Sequence, residues 1–274
     1  MNTIRVASCQ IDIDIDNPES IRASMISSVK AAADAGASLI VLPELATSGY
    51  CFADQAEATR RSEVIPGKWT TFLQEMSREF QIVLVSGISE ISEEGVLFSS
   101  AIILDNGHLL GTYRKTHLWN TEKQFFEQGN HLPTIFTTSV GKISVAICYD
   151  IEFPEVVRIA AEMGAEVLTA PVNWPKNPRP SDSWPIEIFK AMAHAAEYRL
   201  PIVIADRCGE ERGTDWIGGS IIIGKDGYPL SGPHIKTPSV PEIWVADVEV
   251  NSNSRISPDN DAFLDRRVDL YFEK

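Results

Sequence analysis

Residues 31–43 and 159–171 carry the same pattern, 128 positions apart. Ala31-Ala-Ala-Asp-Ala-Gly36-Ala-Ser-Leu-Ile-Val-Leu-Pro43 lines up with Ile159-Ala-Ala-Glu-Met-Gly164-Ala-Glu-Val-Leu-Thr-Ala-Pro171. Further on, Ile82-Val-Leu-Val85 matches Ile202-Val-Ile-Ala205, and Ser100-Ala-Ile-Ile-Leu-Asp-Asn-Gly107 matches Ser220-Ile-Ile-Ile-Gly-Lys-Asp-Gly227, both at an offset of 120. Ile4 to Cys9 aligns with Ile143 to Cys148 at 139. Each copy reads as strand, helix, strand, helix, strand and hairpin: short apolar runs rich in β-branched residues, separated by stretches of helical period. Asn17-Pro18-Glu19 opens the first helix, with Ile21, Met25, Val29 and Ala32 on one face and Gly36 at its stop. Trp69 to Phe80 reads as the second helix, and Asp105-Asn-Gly-His108 as a hairpin turn.

A sheet that is buried on both faces must be covered on both. Two mixed sheets of the same make, each with its own helices, do this most economically back to back with the helices outside. The expected fold is therefore α/β, a four-layer αββα sandwich of two sheets related by a pseudo-twofold axis. The repeats span about residues 4–113 and 142–248, and no Pro/Gly/Ser-rich linker parts them, so residues 1–274 are expected to form one domain. The tail after Val250 is polar and reads as loop, with Tyr271-Phe272 placed to pack on a neighbour.

The net charge of −14, without a long basic run, argues against nucleic acid and against an anionic membrane as partners. No basic segment followed by an apolar run opens the chain, and no window approaches the roughly 20 apolar residues of a membrane span, so a cytoplasmic location is expected. Cys9, Cys51, Cys148 and Cys208 form no C-x-x-C pair, and the five His form no metal-binding pair. Neither dinucleotide nor P-loop glycine motifs occur. No metal, nucleotide or other cofactor is expected.

Cys148 follows the apolar run Ile143–Ile147 and precedes Phe153-Pro154-Glu155, which reads as a helix start. A thiol at such a join projects into a cleft that the backbone N–H groups of the turn also face, which suits a nucleophile beside an oxyanion site. Cys9 holds the matching place in the first copy, so position alone does not make a nucleophile; only the second copy leads into a helix start. Glu44 ends the strand of the first copy where the second has Val172, and Lys115 follows the return strand of the hairpin. A carboxylate can take the thiol proton, and an ammonium can hold that carboxylate and an oxyanion. His117 and His131 are candidates for a Cys–His pair, but neither ends a strand.

On Leu39-Ile-Val-Leu-Pro-Glu44, Tyr113-Arg-Lys115-Thr-His-Leu-Trp119 and Ala146-Ile-Cys148-Tyr-Asp150-Ile-Glu-Phe-Pro154-Glu155, together with Ala170-Pro-Val-Asn173-Trp174, the chain resembles the nitrilase superfamily of carbon–nitrogen hydrolases. The motifs come in that family's order, and the likeness spans roughly residues 4 to 250. The resemblance implies the αββα sandwich and a catalytic triad of Glu44, Lys115 and Cys148, with the oxyanion held by Lys115 and the backbone N–H of Tyr149. It implies a second acid at Glu122, although Gln128-Gly129 stands where members often have Pro-Gly, which keeps Glu127 as the competing assignment. It also implies hydrolysis of a small non-peptide amide to carboxylate and ammonia through a Cys thioester. Cys-Tyr-Asp with Phe-Pro-Glu looks most like the amidase branches; a nitrilase or an N-carbamoyl amino acid hydrolase on the same triad is the alternative.

Tyr50, Trp119, Asn173 and Trp174 flank the motifs in loops and are the candidate substrate-binding residues. Arg179 and Arg207 are the candidates for a distal carboxylate. A binding protein or an N-acyltransferase on the same scaffold is the reading from another class. The partners expected are a small-molecule amide and further copies of the chain, as a homo-oligomer built on a dimer.

Overall fold

A computed structural model describes residues 2–180, 183–236, 239–250 and 255–271. The first sheet is built from β1 (Asn2–Asp12), β2 (Leu39–Val41), β3 (Val83–Ile91), β4 (Leu97–Asp105) and β5 (His108–Arg114). The second is built from β6 (Phe136–Thr138), β7 (Gly141–Val145), β8 (Val167–Val172), β9 (Ile202–Cys208), β10 (Ile221–Ile223) and β11 (Pro229–Ser231). A last long strand, β12 (Glu242–Val250), returns to the first sheet and runs antiparallel beside β1, with Asn2 opposite Val250 and Gln10 opposite Glu242.

The strand orders are β12-β1-β2-β3-β4-β5 and β6-β7-β8-β9-β10-β11. Both have the same mixed pattern: an antiparallel edge, two parallel pairings, then an antiparallel hairpin. The repeat seen in the sequence is thus a repeat of sheet topology. The sheets meet where β1 and β9 pair in parallel, Ile11 with Arg207 and Asp12 with Cys208.

Side-chain alternation sets the layers. Ile40 of β2 and Leu42 just after it join Ile21, Met25 and Val29 of α1 (Pro18–Asp34) in one core. Leu39 and Val41 face the other way and pack with Val145 and Val167 of the second sheet. α2 (Gln55–Arg61) is a further short helix; Asp54 caps it by accepting the Glu57 N–H at 2.7 Å. α3 (Lys68–Glu79) completes the first outer layer through Leu73 and Met76. α4 (Pro154–Glu162) and α5 (Ile186–Tyr198) form the second, through Val157, Ala160, Ile188 and Ala191. The result is the αββα sandwich.

Asn251–Ser254 and Phe272 lie outside the described residues; after them, Arg255–Ser257 pairs with Asn260–Asp261 in a small ribbon, so the tail is not wholly loop. Among the described residues no helix is long and apolar enough to cross a membrane.

Candidate active site

Glu44, Lys115 and Cys148 all lie shortly beyond strand ends. β2 stops before Pro43, and the chain bends at Leu45, whose φ is +45°. Glu44 is thereby laid against β3 at Gly87, where any side chain would put its Cβ 2.5 Å from the Glu44 Cα. A glycine inside a strand is otherwise unfavourable, and here the close approach of a second backbone requires it. Lys115 follows β5 directly; its N–H donates to Ser99 O at 2.8 Å, and its carbonyl accepts from Gly129 N at 2.8 Å.

Cys148 does not lie at the strand end itself. β7 stops at Val145, and Cys148 opens a 3₁₀ turn, Cys148–Glu152, that precedes α4. Its φ is +48°, in the left-handed region that a residue with a Cβ adopts only when its surroundings impose it. In the first copy β1 runs on through Cys9, whose thiol faces α1 and donates to Ser28 O at 3.7 Å. Backbone conformation, not sequence position, separates the two cysteines.

Asp150 holds the Cys148 turn. Its carboxylate accepts from Ile147 N at 3.1 Å and from Tyr113 OH at 3.0 Å. It also accepts from Thr116 Oγ1 at 2.8 Å, His117 N at 2.9 Å and His117 Nδ1 at 2.8 Å. One buried carboxylate therefore ties the cysteine turn to the segment that carries Lys115. In the sequence Asp150 stands inside the Ala146–Glu155 motif, with no local pattern that marks it as a brace. His117 serves this brace, and its ring stacks on Phe153.

Lys115, fully buried, donates from Nζ to Glu44 Oε1 at 2.8 Å and to Glu122 Oε1 at 2.7 Å. Glu122 sits in the 3₁₀ turn Asn120–Gln124; it also accepts from Tyr50 OH at 2.6 Å and from Trp119 N at 2.9 Å. Glu127 is exposed, so Glu122 is the acid that enters the cluster. Glu44 Oε1 also accepts from Ser99 Oγ at 3.2 Å, while buried Oε2 is left without a hydrogen-bond partner. Asn173 closes the far side: its Nδ2 donates to Glu44 O at 2.9 Å, and its carbonyl accepts from Cys148 Sγ at 3.7 Å.

Burial pushes the Glu44 carboxyl up to about 7 against the pull of Lys115. Burial works against the Lys115 ammonium, but Glu122, Glu44 and Cys148 outweigh it and raise Lys115 well above the ordinary lysine range. Burial, followed by Glu44, drives the Cys148 thiol well above its usual value, with Lys115 opposing. The resting pair is thus a thiol beside a carboxyl poised near neutrality, not a thiolate.

Of the substrate-binding candidates, Tyr50 and Trp119 line a cleft of about 420 Å³ beside this cluster. Asn173 lies inside the cluster. Trp174 is 2% exposed in the core between the sheets, its backbone N–H donating to Asp206 Oδ1 at 3.0 Å. Arg207 is fully buried and paired with Glu211 at 2.7 Å, so it does not reach the cleft. Arg179 donates from Nε to Ser183 O at 3.2 Å, away from the lining of that cleft. Glu211, which the sequence reading missed, accepts the N–H of Tyr50 at 2.8 Å and that of Cys51, so it fixes the cleft wall. Among the described residues no group of three or more His, Cys, Asp or Glu is placed to hold a metal ion.

The model of the carbon–nitrogen hydrolase family matches residues 5–252. A protein of Pyrococcus abyssi named nitrilase is 36% identical over 274 residues, covering 98% of this chain and 99% of its own length. Among solved structures, a double mutant of the amidase from Nesterenkonia sp. AN1 in complex with acrylamide superposes with a TM-score of 0.80 at 25% identity, over 98% of this chain and 96% of that one. A mutant of the same amidase, showing covalent addition of the acetamide moiety of fluoroacetamide at the active site cysteine, gives a TM-score of 0.78 at 26% identity, over 97% and 95%.

Proposed function

The chain belongs to the carbon–nitrogen hydrolase family, and we propose that it is an amidase converting a small linear amide to carboxylate and ammonia, with Cys148 as nucleophile. The observation that carries this reading is the Glu44–Lys115–Glu122 cluster with one free carboxylate oxygen beside a thiol.

Cys148 Sγ attacks the amide carbon while its proton passes to Glu44 Oε2. The carbonyl electrons move onto oxygen. An ammonium has three N–H donors, and Lys115 spends two of them on Glu44 and Glu122, which leaves the third for the oxyanion. The Tyr149 N–H is the second donor, because the first amides of a helical turn have no partner within it. Glu44 then protonates the nitrogen, the C–N bond breaks and ammonia leaves a thioester. Water, giving its proton to Glu44, attacks the thioester carbon, and Sγ leaves with that proton. Glu122 fixes Lys115 and is itself held by Tyr50 and Trp119.

A nitrile substrate is the second reading, favoured by the 36% identical relative named nitrilase. The same reading takes residues 1–274 as one catalytic domain working in the cytoplasm as a dimer-based homo-oligomer, without nucleic acid or membrane, in keeping with the charge of −14. Light scattering tests the assembly. Intact mass spectrometry after mixing with amides, nitriles and N-carbamoyl compounds, with ammonia release in parallel, tests the chemistry. An acyl adduct on Cys148 and ammonia from amides are expected; no adduct and no ammonia from any compound refutes the enzyme.

A further inference from the structure

The cleft beside the cluster has a wall chemistry that selects a substrate. It abuts the reacting groups through Tyr50 and Trp119, which both donate to Glu122, and through Pro175, two residues beyond the carbonyl that accepts the Cys148 thiol. Tyr50, Phe52, Trp119, Phe125 and Trp216 give it an aromatic face, and its polar lining, Asn120, Thr121, Gln124 and Thr214, is uncharged. Tyr50 meets Trp216 edge to face with ring centroids 5.2 Å apart, and Phe52 meets Phe125 in the same way at 5.6 Å. Among the described residues no Asp, Glu, Lys or Arg lines it. The volume of about 420 Å³ is at the small end for ligand pockets, enough for an acyl group carrying one ring or a branched chain.

Two further features bear on charge. The cluster at the base has two carboxylates and one ammonium, Glu44, Glu122 and Lys115, so a substrate carboxylate enters against a negative field with no cation on the wall to meet it. Aromatic walls alone would welcome an ammonium group. Here, however, the Arg207 guanidinium lies over the Trp216 ring, 4.5 Å from its centroid. That ring already faces one cation, itself paired with Glu211, and no wall carboxylate completes an ammonium site.

We infer that this cleft binds the acyl side chain of an uncharged amide, an aryl or branched alkyl group, and excludes amides bearing a distal carboxylate or ammonium. The inference rests on the amidase reading for the orientation of the substrate, with its carbonyl at Cys148 and its side chain outward. Tyr50, Trp119 and Trp216 are the specificity-determining residues.

The test pairs binding with turnover, so that the two readings fail separately. Calorimetry on Cys148→Ala measures the affinity of phenylacetamide, isovaleramide, succinamate and 5-aminopentanamide, while kcat/KM for the same compounds is measured on the unaltered protein. Leaving one carboxylate buried without a partner costs several kcal/mol, so the neutral amides are expected to lead succinamate by about 100-fold or more in both measurements. Thr121→Arg, at an exposed position on the cleft, supplies the missing cation and is expected to narrow that ratio at least about tenfold. Tighter binding of succinamate or of 5-aminopentanamide than of either neutral amide overturns the inference, whatever the turnover. The expected order of affinities with no ammonia from any amide sustains the cleft assignment and refutes the amidase reading alone.

Discussion

Asp150→Asn is the substitution that probes the brace beneath the nucleophile most directly. The change keeps the shape and turns one terminal oxygen into an NH₂. In one orientation that NH₂ replaces Oδ2 and faces Ile147 N–H and Tyr113 OH; in the other it replaces Oδ1 and faces His117 N–H and Thr116 Oγ1. The two hydroxyls can rotate to accept, but a backbone N–H cannot. Either way one buried amide loses its acceptor, which costs about 1–3 kcal/mol, and the remaining bonds lose the strength that ionisation gave them. A total destabilisation of about 2–4 kcal/mol is expected. Ile147 immediately precedes Cys148, and the left-handed Cys148 backbone is held by this turn. A displacement of about 1 Å at a reacting atom can cost about 100-fold in rate, so kcat is expected to fall by about that factor while KM changes little. Urea unfolding and steady-state kinetics on one preparation check both parts. A destabilised variant with kcat within about threefold of the unaltered protein would show that Asp150 holds the fold without placing the nucleophile; unchanged stability would refute the hydrogen-bond count itself.

Because burial raises Glu44 to about 7 and the attack requires its ionised form, kcat/KM is expected to fall roughly tenfold per pH unit below that value; a pH-independent limb down to pH 5 would remove Glu44 as the base. The same shift has a stability consequence. A carboxyl whose folded pKa lies above its unfolded value of 4.5 contributes most when protonated, so the stability of the protein relative to Glu44→Gln should decline as pH rises from about 4.5 to about 7. A relative stability that is flat or rising over that window, followed by urea midpoints, contradicts the assignment. Tyr50→Phe removes the 2.6 Å donor to Glu122 and keeps the ring; since a hydrogen bond to a charged group contributes about 1.5–3 kcal/mol, kcat should drop about 10- to 100-fold. Cys9→Ala should keep turnover and cost about 1 kcal/mol in stability, whereas Cys148→Ala should abolish ammonia release with the melting temperature little changed; equal loss in both variants would undo the distinction between the two copies.

What the sequence made legible was whatever local pattern determines. Buried strand runs, the Asn17 and Pro154 helix starts and the Asn106-Gly107 turn are short-range signals, and their duplication carried the sheet topology. Glu44, Lys115 and Cys148 stood out because each ends an apolar run. The missed parts depend on contacts between distant segments. Asp150 gathers donors from Tyr113, Thr116 and His117, which lie 37 to 33 positions earlier, and no residue near it announces them. Arg207 looked available for a substrate carboxylate because no local pattern shows that it is buried and paired with Glu211, which in turn reaches back to Tyr50. β12, by contrast, carried a usable signal, the run Ile243-Trp-Val-Ala246 followed by alternating Val248 and Val250, which fits a strand with one face on the core. α2 did carry a usable signal, Asp54 followed three residues later by Glu57, which is a capping pattern.

The duplicated scaffold also explains why a single site arises from two similar halves. Pseudo-symmetry delivers equivalent strand ends to the region where the sheets face each other, so Glu44 after β2 meets Val172 at the end of β8 and Asn173 just after it, with Glu44 N donating to Val172 O at 3.4 Å. A strictly symmetric pair would place two acids or two thiols together. The halves have instead diverged at those ends. The first gives the carboxylate and, through its hairpin, the lysine; the second gives the thiol, and Asn173 spans the join by binding Glu44 and accepting from Cys148. Such a site depends on the packing of one sheet against the other, because neither half holds a base and a nucleophile together. The high pKa of Cys148 follows from the same burial: a thiolate formed at rest would lie beside two carboxylates, and only proton transfer to Glu44 during attack avoids that charge. Reactivity toward general alkylating agents should accordingly be low at neutral pH, while an amide-shaped electrophile that reaches Lys115 and the Tyr149 N–H should react quickly. Iodoacetamide and iodoethane, which share iodide as leaving group, compared by mass spectrometry on Cys148, separate the two; equal rates after correction for their reactivity with free cysteine would mean that the thiol, and not the site around it, governs the attack.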